Sequence, residues 1–356
     1  MKKKSRFIGG ALLFIALALL ITAIASHVTR PWNSKAEKIE KTLYSDDTDM
    51  EQTEVALIGG SHANNGFNPS VIWRENRIKA YNFSFSGEPL YLTHYYLEEL
   101  FQRRKLKLVV LDLYYIGLKN EYFSRDSYVF ELVDNMHWSK NKWDFIRNRV
   151  APKNRDRYYF PLNIYHTRWE QLTLRDLLRE PDPGNDFWLG SDYHFERFFD
   201  EPISFEPWED TGSIQLMPAL SEEYLRKIIE LVQANDCDLL FTALPHRYND
   251  ANAPDTWVEN EYPVYNHARQ IAAEYGIPVI TFDDDLLREI GFVPEEDMYN
   301  KGHMNIYGSE KVARYLGAYM EEHYEFTHFP KDQRDLWDEY LEKYERVCQE
   351  NFQEIE

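Results

Sequence analysis

The sequence predicts an α/β fold, a three-layer sandwich around a mainly parallel sheet, and three observations predict it. Short apolar runs recur at residues 55–58, 79–83, 107–113, 238–244 and 278–282. Each ends in a polar or glycine-rich turn, and stretches with apolar residues at helical spacing separate them. Strand, loop, helix, strand in that rhythm is how parallel strands are joined, because each return needs a crossover. The run at 107–113 is apolar nearly throughout, as expected of a strand buried on both faces.

The chain opens with Lys2-Lys3-Lys4 and Arg6, followed by nineteen uncharged residues from 7 to 25. That is close to the ~20 residues a membrane-spanning helix needs. The basic flank stays cytoplasmic, so the bulk of the chain is expected on the far side, with residues 1–26 as a single-pass anchor in the cell membrane. Ala23-Ile24-Ala25 also resembles a signal-peptidase site, and a cleaved signal would release a secreted protein. Either way the globular part works outside the cytoplasm. Residues 27–52 are polar and charged and read as a stalk, with a short helix near 35–42.

The α/β domain then spans 53–325. Helices are expected near 71–75, 90–103, 221–235 (opened by Ser221), 262–275 (closed by Gly276) and 309–324. Residues 120–215 break the rhythm with a dense set of aromatic and charged residues and a turn at Pro181-Asp182-Pro183-Gly184. This stretch reads as an insertion over one end of the sheet, either with a small core of its own or serving as a lid or sugar platform. Residues 326–356 form a charged helical tail.

Composition narrows the function. At 356 residues, with 44% hydrophobic and 15% aromatic residues, the chain can bury a large core. Its 40 Lys and Arg against 60 Asp and Glu give a net charge of −20, which argues against nucleic acid as partner. Two cysteines, Cys237 and Cys348, suggest neither a disulfide framework nor a metal site, and leave a single bridge between them open. The Asp283-Asp284-Asp285 run reads as a solvated helix cap. No metal and no cofactor are expected.

The chemistry concentrates in two stretches. The first is Gly59-Gly60-Ser61-His62, at the carboxyl end of the first strand, where a parallel sheet presents its reactive edge. The second is Asp297 to Asn305, containing Asn300 and His303, on a loop after the last strand. A serine needs a base to take its proton, and a neutral histidine supplies one near pH 7. The histidine needs a partner on its other nitrogen, which Asn300 or Asp297 can provide. Backbone N–H groups of Ser61 and Gly87, each following a strand end, can stabilise negative charge developing on a carbonyl oxygen. His62, Asp112 and His246 fall at the same edge and are candidate pocket residues.

These stretches resemble the SGNH (GDSL-like) hydrolase superfamily, whose fold is flavodoxin-like. The resemblance rests on Gly59-Gly60-Ser61-His62, on Gly87 in Phe83-Ser84-Phe85-Ser86-Gly87, and on Asn300-Lys301-Gly302-His303-Met304-Asn305. With the anchor and strand order it covers most of residues 1–118 and 220–320. Within the superfamily the chain looks like the membrane-anchored extracytoplasmic branch, with proteins related to teichoic-acid D-alanyl transfer proteins and polysaccharide O-acetyltransferases. That likeness implies a serine esterase or acyltransferase acting on acetyl or D-alanyl esters of cell-envelope polysaccharide or teichoic acid, with a membrane acyl-transfer partner. Two departures stand out. The family usually has Asp three residues before the histidine, where this chain has Asn300. Its third block, Gly-x-Asn-Asp, is replaced by Asp112-Leu113-Tyr114-Tyr115, leaving Asn64 as the substitute third oxyanion donor. The competing expectation is a glycan-binding or export-complex accessory protein with a degraded triad.

Overall fold

The computed structural model describes residues 2–119, 126–180, 188–197, 212–246, 256–258 and 260–353; the turn expected at 181–184 lies outside them. In chain order, α1 (Lys2–Thr29), α2 (Ser34–Ile39), a π-helical turn and α3 (Thr48–Gln52) precede β1 (Val55–Ile58). Then come α4 (Ser61–Gly66), α5 (Pro69–Asn76), β2 (Ala80–Asn82), α6 (Leu90–Phe101) and β3 (Leu108–Asp112). Five helices follow, α7 (Asp126–Asn135), α8 (Lys140–Arg149), α9 (Arg155–Tyr159), α10 (Leu162–Tyr165) and α11 (Leu174–Leu178). The chain continues through α12 (Ala219–Ala234), β4 (Asp238–Ala243), α13 (Tyr262–Glu274), β5 (Val279–Thr281), α14 (Asp284–Glu289) and α15 (Pro294–Asp297). It ends with β6 (Met298–Asn300), β7 (His303–Met304), α16 (Ile306–His323) and α17 (Leu336–Gln353).

These elements fall into two compact units. Unit 1 joins Met1–Ile39 to Phe130–Asp182, and unit 2 joins Glu40–Val129 to Pro183–Glu356.

Unit 2 is an α/β domain on a five-stranded sheet of order β2-β1-β3-β4-β5, parallel throughout. β1 and β3 are buried along their whole length, which is why their sequences are unbroken apolar runs. The register sets Ile58 beside Leu111 and Leu111 beside Phe241. The turns after β1, β3 and β4 therefore leave the sheet at one edge, the edge where parallel sheets hold ligands.

Several expectations need correcting. The stretch read as a stalk is folded: Thr42, Leu43 and Met50 are buried in unit 2, and Ala36 and Ile39 are buried in unit 1. The histidine block is a two-stranded antiparallel ribbon, β6 and β7, where a loop was expected. Helix α12 starts at Ala219, so Ser221 sits in its first turn, with its hydroxyl near the Leu118 carbonyl, instead of capping it. Helix α16 starts at Ile306 because the Asn305 side chain accepts from the Tyr307 and Gly308 N–H groups, a cap the sequence displays but which was not read. The charged tail is a packed helix: Trp337 and Tyr344 of α17 are fully buried, and Tyr344 Oη meets Asn68 Nδ2 at 2.9 Å. Asp283 does cap α14, accepting from the Leu286 N–H. Both cysteines are free thiols.

The insertion divides. Residues 130–182 lie in unit 1 and have the small core that was one of its expected readings, with Phe130, Val133, Phe145, Ile146 and Tyr158 buried. Residues 188–197 instead belong to unit 2. They run along the site as a strap, described below.

Candidate active site

Two glycines shape the first loop. A Cβ on Gly59 would lie 2.8 Å from Ala63 Cβ and 2.9 Å from Asp112 Cβ; one on Gly60 would lie 2.1 Å from the Tyr115 ring. No side chain fits at either place, so the chain turns tightly out of β1 against β3. Gly60 is then the cap residue of α4, and Ser61 is its first helical residue. A first-turn N–H has no intrahelical acceptor, so the Ser61 N–H is oriented with the positive end of the helix beside its own hydroxyl.

The second loop brings its histidine to that hydroxyl. His303 Nε2 lies 2.8 Å from Ser61 Oγ, across 242 positions of sequence. His303 Nδ1 lies 3.0 Å from Asn300 Oδ1, and the Gly302 N–H donates to the same oxygen at 2.8 Å. That second bond fixes the tautomer. A backbone N–H can only donate, so the Asn300 atom it meets is the amide oxygen, and the Nδ1 facing that oxygen must carry the proton. Nε2 is left with its lone pair toward the serine. Burial pushes the His303 pKa down to about 4, with His194 and His246 nearby adding to the effect. The ring is thus neutral, and poised to accept, at any pH well above that.

The ribbon explains which partner His303 takes. Asn300 and His303 are paired across β6 and β7, so their side chains face one another. Asp297, the other candidate, is occupied elsewhere and does not orient the ring. Its Oδ2 accepts from the Val293 N–H and the Lys311 ammonium, each at 2.6 Å, and its carbonyl accepts from the Asn305 N–H. Asp297 holds the ribbon and the start of α16 in place.

The pocket candidates also gather here. The His62 ring lies 4.8 Å from His246 and 5.0 Å from His303, with Tyr114 edge-on at 3.6 Å. Burial, then His246 and His303, hold the His62 pKa well below normal. His246 differs. Its Nδ1 meets the Leu244 carbonyl at 3.0 Å and its Nε2 meets Glu261 Oε2 at 2.6 Å. Burial opposes charge on His246, but the Glu261 carboxylate overrides it and raises the pKa. Trp257 Nε1 donates to the other Glu261 oxygen. Asp112 Oδ1 accepts from the Leu244 N–H at 3.2 Å, and burial raises this carboxyl to about 6.

The remaining expected donors are placed by the sheet. Phe83 N donates to Leu57 O and Phe85 N to Gly59 O, extending the β1–β2 register past the strand ends toward Ser61 and Gly87. Gly87 has φ +76°, and a Cβ there would lie 2.6 Å from Tyr128 Cβ. Asn64 lies buried in α4, its carbonyl accepting from the Asp192 N–H at 3.0 Å.

Sequence reasoning missed the strap and Glu261. The strap ties both loops together: Asn65 Nδ2 donates to Asp192 O, Ser191 Oγ to Phe67 O, the Ile306 N–H to His194 O, and Asn305 Nδ2 to Glu196 O. His194 stacks on Tyr299 at 3.9 Å, and Tyr299 stacks on His303 at 5.6 Å. Asn82, at the end of β2, also donates to the Ala63 carbonyl and to Ser191 Oγ. Tyr114, edge-on to His62, carried a signal in the sequence, standing two residues after the end of β3. Among the described residues no group of three or more His, Cys, Asp or Glu side chains is disposed to hold a metal ion.

No protein-family model and no curated protein matches this chain, so its reading rests on the fold and on this geometry.

Proposed function

We propose that the chain is a serine esterase or acyltransferase of the SGNH type, its sheet the centre of a three-layer sandwich. Its proposed substrates are acetyl or D-alanyl esters of extracytoplasmic polysaccharide or teichoic acid. The observation that carries the reading is the relay Ser61 Oγ, His303 Nε2, His303 Nδ1–H, Asn300 Oδ1, with one bond of 2.8 Å and one of 3.0 Å. That is nucleophile, base and orienting group in reach of one another.

In the reaction Ser61 Oγ bonds to the ester carbonyl carbon while its proton passes to His303 Nε2. The carbonyl π electrons move to oxygen, where the Ser61 and Gly87 N–H groups, with Asn64 as a third donor, hold the charge. The C–O bond to the leaving alcohol then breaks, and Nε2 returns the proton to that alcohol. Water or a sugar hydroxyl, deprotonated by Nε2, attacks the acyl carbon, the acyl C–Oγ bond breaks, and Nε2 returns the proton to Ser61 Oγ. An amide in place of a carboxylate supports the imidazolium less, but the Gly302 N–H keeps it turned the right way. The usual penalty of an asparagine here, the wrong histidine tautomer, is avoided.

An extracytoplasmic site is supported by α1, of which Ile8–Thr29 are long and apolar enough to cross a membrane, and by the basic residues that precede them. The alternative, a glycan-binding accessory protein, is favoured by the uncharged Asn300. Turnover of p-nitrophenyl acetate decides between them. Loss of turnover in Ser61→Ala supports the enzyme. Absent turnover in the unaltered protein, with glycan binding that Ser61→Ala leaves intact, supports the accessory role.

A further inference from the structure

Unit 1 places apolar side chains in an unusual position. Trp169 is 65% exposed, Leu174 71% and Leu178 58%; Trp138, Trp143 and Phe160 are each about half exposed. A water-facing surface rarely carries so many large apolar groups in so short a stretch. Two groups form within it: Trp169, Leu174 and Leu178 are near neighbours in sequence, and Trp138 and Trp143 gather about Tyr159, with ring centroids at 6.4 and 4.9 Å and Phe160 next in the chain.

The end of α1 fixes where this surface lies. Ile8–Thr29 is 22 residues, ~33 Å of helix against a hydrocarbon core of ~30 Å. If α1 spans the bilayer with its lysines on one side, Thr29 comes out at the opposite interface. The segment bearing Trp169, Leu174 and Leu178 is bonded to that point, and α8 and α9 join it through α10. α1 packs against α10 and α11. Arg168 donates to the Thr29 carbonyl at 2.7 Å, and Arg179 to the carbonyls of His27 and Arg30. Arg30 in turn forms a two-pronged pair with Asp134, and Trp32 Nε1 donates to the Glu180 carbonyl. Charge agrees with the position: residues 130–182 carry 10 Lys and Arg against 8 Asp and Glu, in a chain whose totals are 40 against 60.

We propose that residues 130–180 form a collar lying in the membrane interface around the outer end of α1, its exposed Trp, Phe and Leu side chains in lipid. Short helices with aromatic and leucine groups on one face and arginines on another sit ~5–10 Å into the headgroup and acyl boundary, and tryptophan concentrates there. The collar needs α1 to span, but does not depend on the chemistry proposed for Ser61, so ester turnover is not its test.

The test uses the full chain in vesicles of phosphatidylcholine and phosphatidylglycerol. Cys237 and Cys348 are replaced by alanine and one nitrobenzoxadiazole-labelled cysteine is introduced, as Trp169→Cys, Leu174→Cys or Leu178→Cys. Arg288→Cys, at a side chain 75% exposed in unit 2, is the water reference. At the three collar positions, blue-shifted emission, strong quenching by lipids with a nitroxide on the acyl chain, and little quenching by aqueous iodide are expected. Iodide quenching equal to that at Arg288→Cys would overturn the collar. So would protection from both quenchers, which would mean that protein covers the surface. Should the cysteine-free chain not fold, native tryptophan fluorescence in brominated lipid gives the same answer. The lipid-quenched fraction should fall in the Trp138→Phe, Trp143→Phe, Trp169→Phe variant, and an unchanged fraction would contradict the proposal.

Discussion

His246 stacks on His62 at 4.8 Å and His303 lies tilted to the same ring at 5.0 Å, yet the structure gives His246 and His303 opposite charge preferences. His246 is buried and His303 half-buried, and loss of water alone would keep both neutral. His246 meets a carboxylate, Glu261, and its pKa is raised; His303 meets an amide, Asn300, and its pKa falls to about 4. The partner on one nitrogen therefore decides the state of the ring, and the neutral ring is the one beside the serine. Positive charge on His246, where Glu261 favours it, in turn disfavours charge on His303 and on His62.

The largest expected effect comes from removing the neutral member. His303→Ala should lower kcat for an acetyl ester by on the order of 10²–10⁴, the usual worth of a positioned base. Steady-state kinetics checks this, with circular dichroism to show that the fold persists.

Next is the charged member. Glu261→Gln strands a buried imidazolium or forces it neutral, and should cost about 3–5 kcal/mol, the range for breaking a buried ion pair. The sign with pH is definite. His246 has a folded pKa raised above its unfolded value of ~6.5, so its contribution is complete below that value and is lost as pH rises through the folded pKa. Thermal melts from pH 5 to 9 should show this loss in the unaltered protein and not in Glu261→Gln.

Making the two histidines alike is a sharper test. Asn300→Asp gives His303 a carboxylate partner, so the acid limb of the kcat/KM profile should move upward from about pH 4, by one unit or more. A limb that stays in place would mean that Asn300 does not govern the ring. The smallest effect on the profile is expected from Asp297→Asn. It weakens the Lys311 pair and lowers stability, but should leave the acid limb where it is, because Asp297 never meets His303.

How much of this was legible in the sequence differs between regions for physical reasons. The strands of unit 2 are short apolar runs buried on both faces, and Gly59-Gly60 are required by contacts within a few residues or with the next strand. Local pattern therefore carried β1, β3 and β4 to within one or two residues. The choice of Asn300 over Asp297 was not legible, because it depends on the register of a two-stranded ribbon with only two or three residues in each strand. The strap and Glu261 were hidden for a related reason. Their partners lie far away in sequence, and nothing in Leu189 to Glu196 or at the head of α13 marks them as neighbours of a serine. The affinity of residues 130–182 for the N-terminal helix likewise rests on arginines bonding backbone carbonyls, contacts that leave no periodic trace.

The most direct measurement is the intact mass of the protein after exposure to a fluorophosphonate, with the site of attachment mapped by peptide fragmentation. One phosphonate on Ser61, lost in Ser61→Ala and strongly slowed in His303→Ala, is the predicted result. Attachment at another residue, or labelling of Ser61 at full speed without His303, would contradict it.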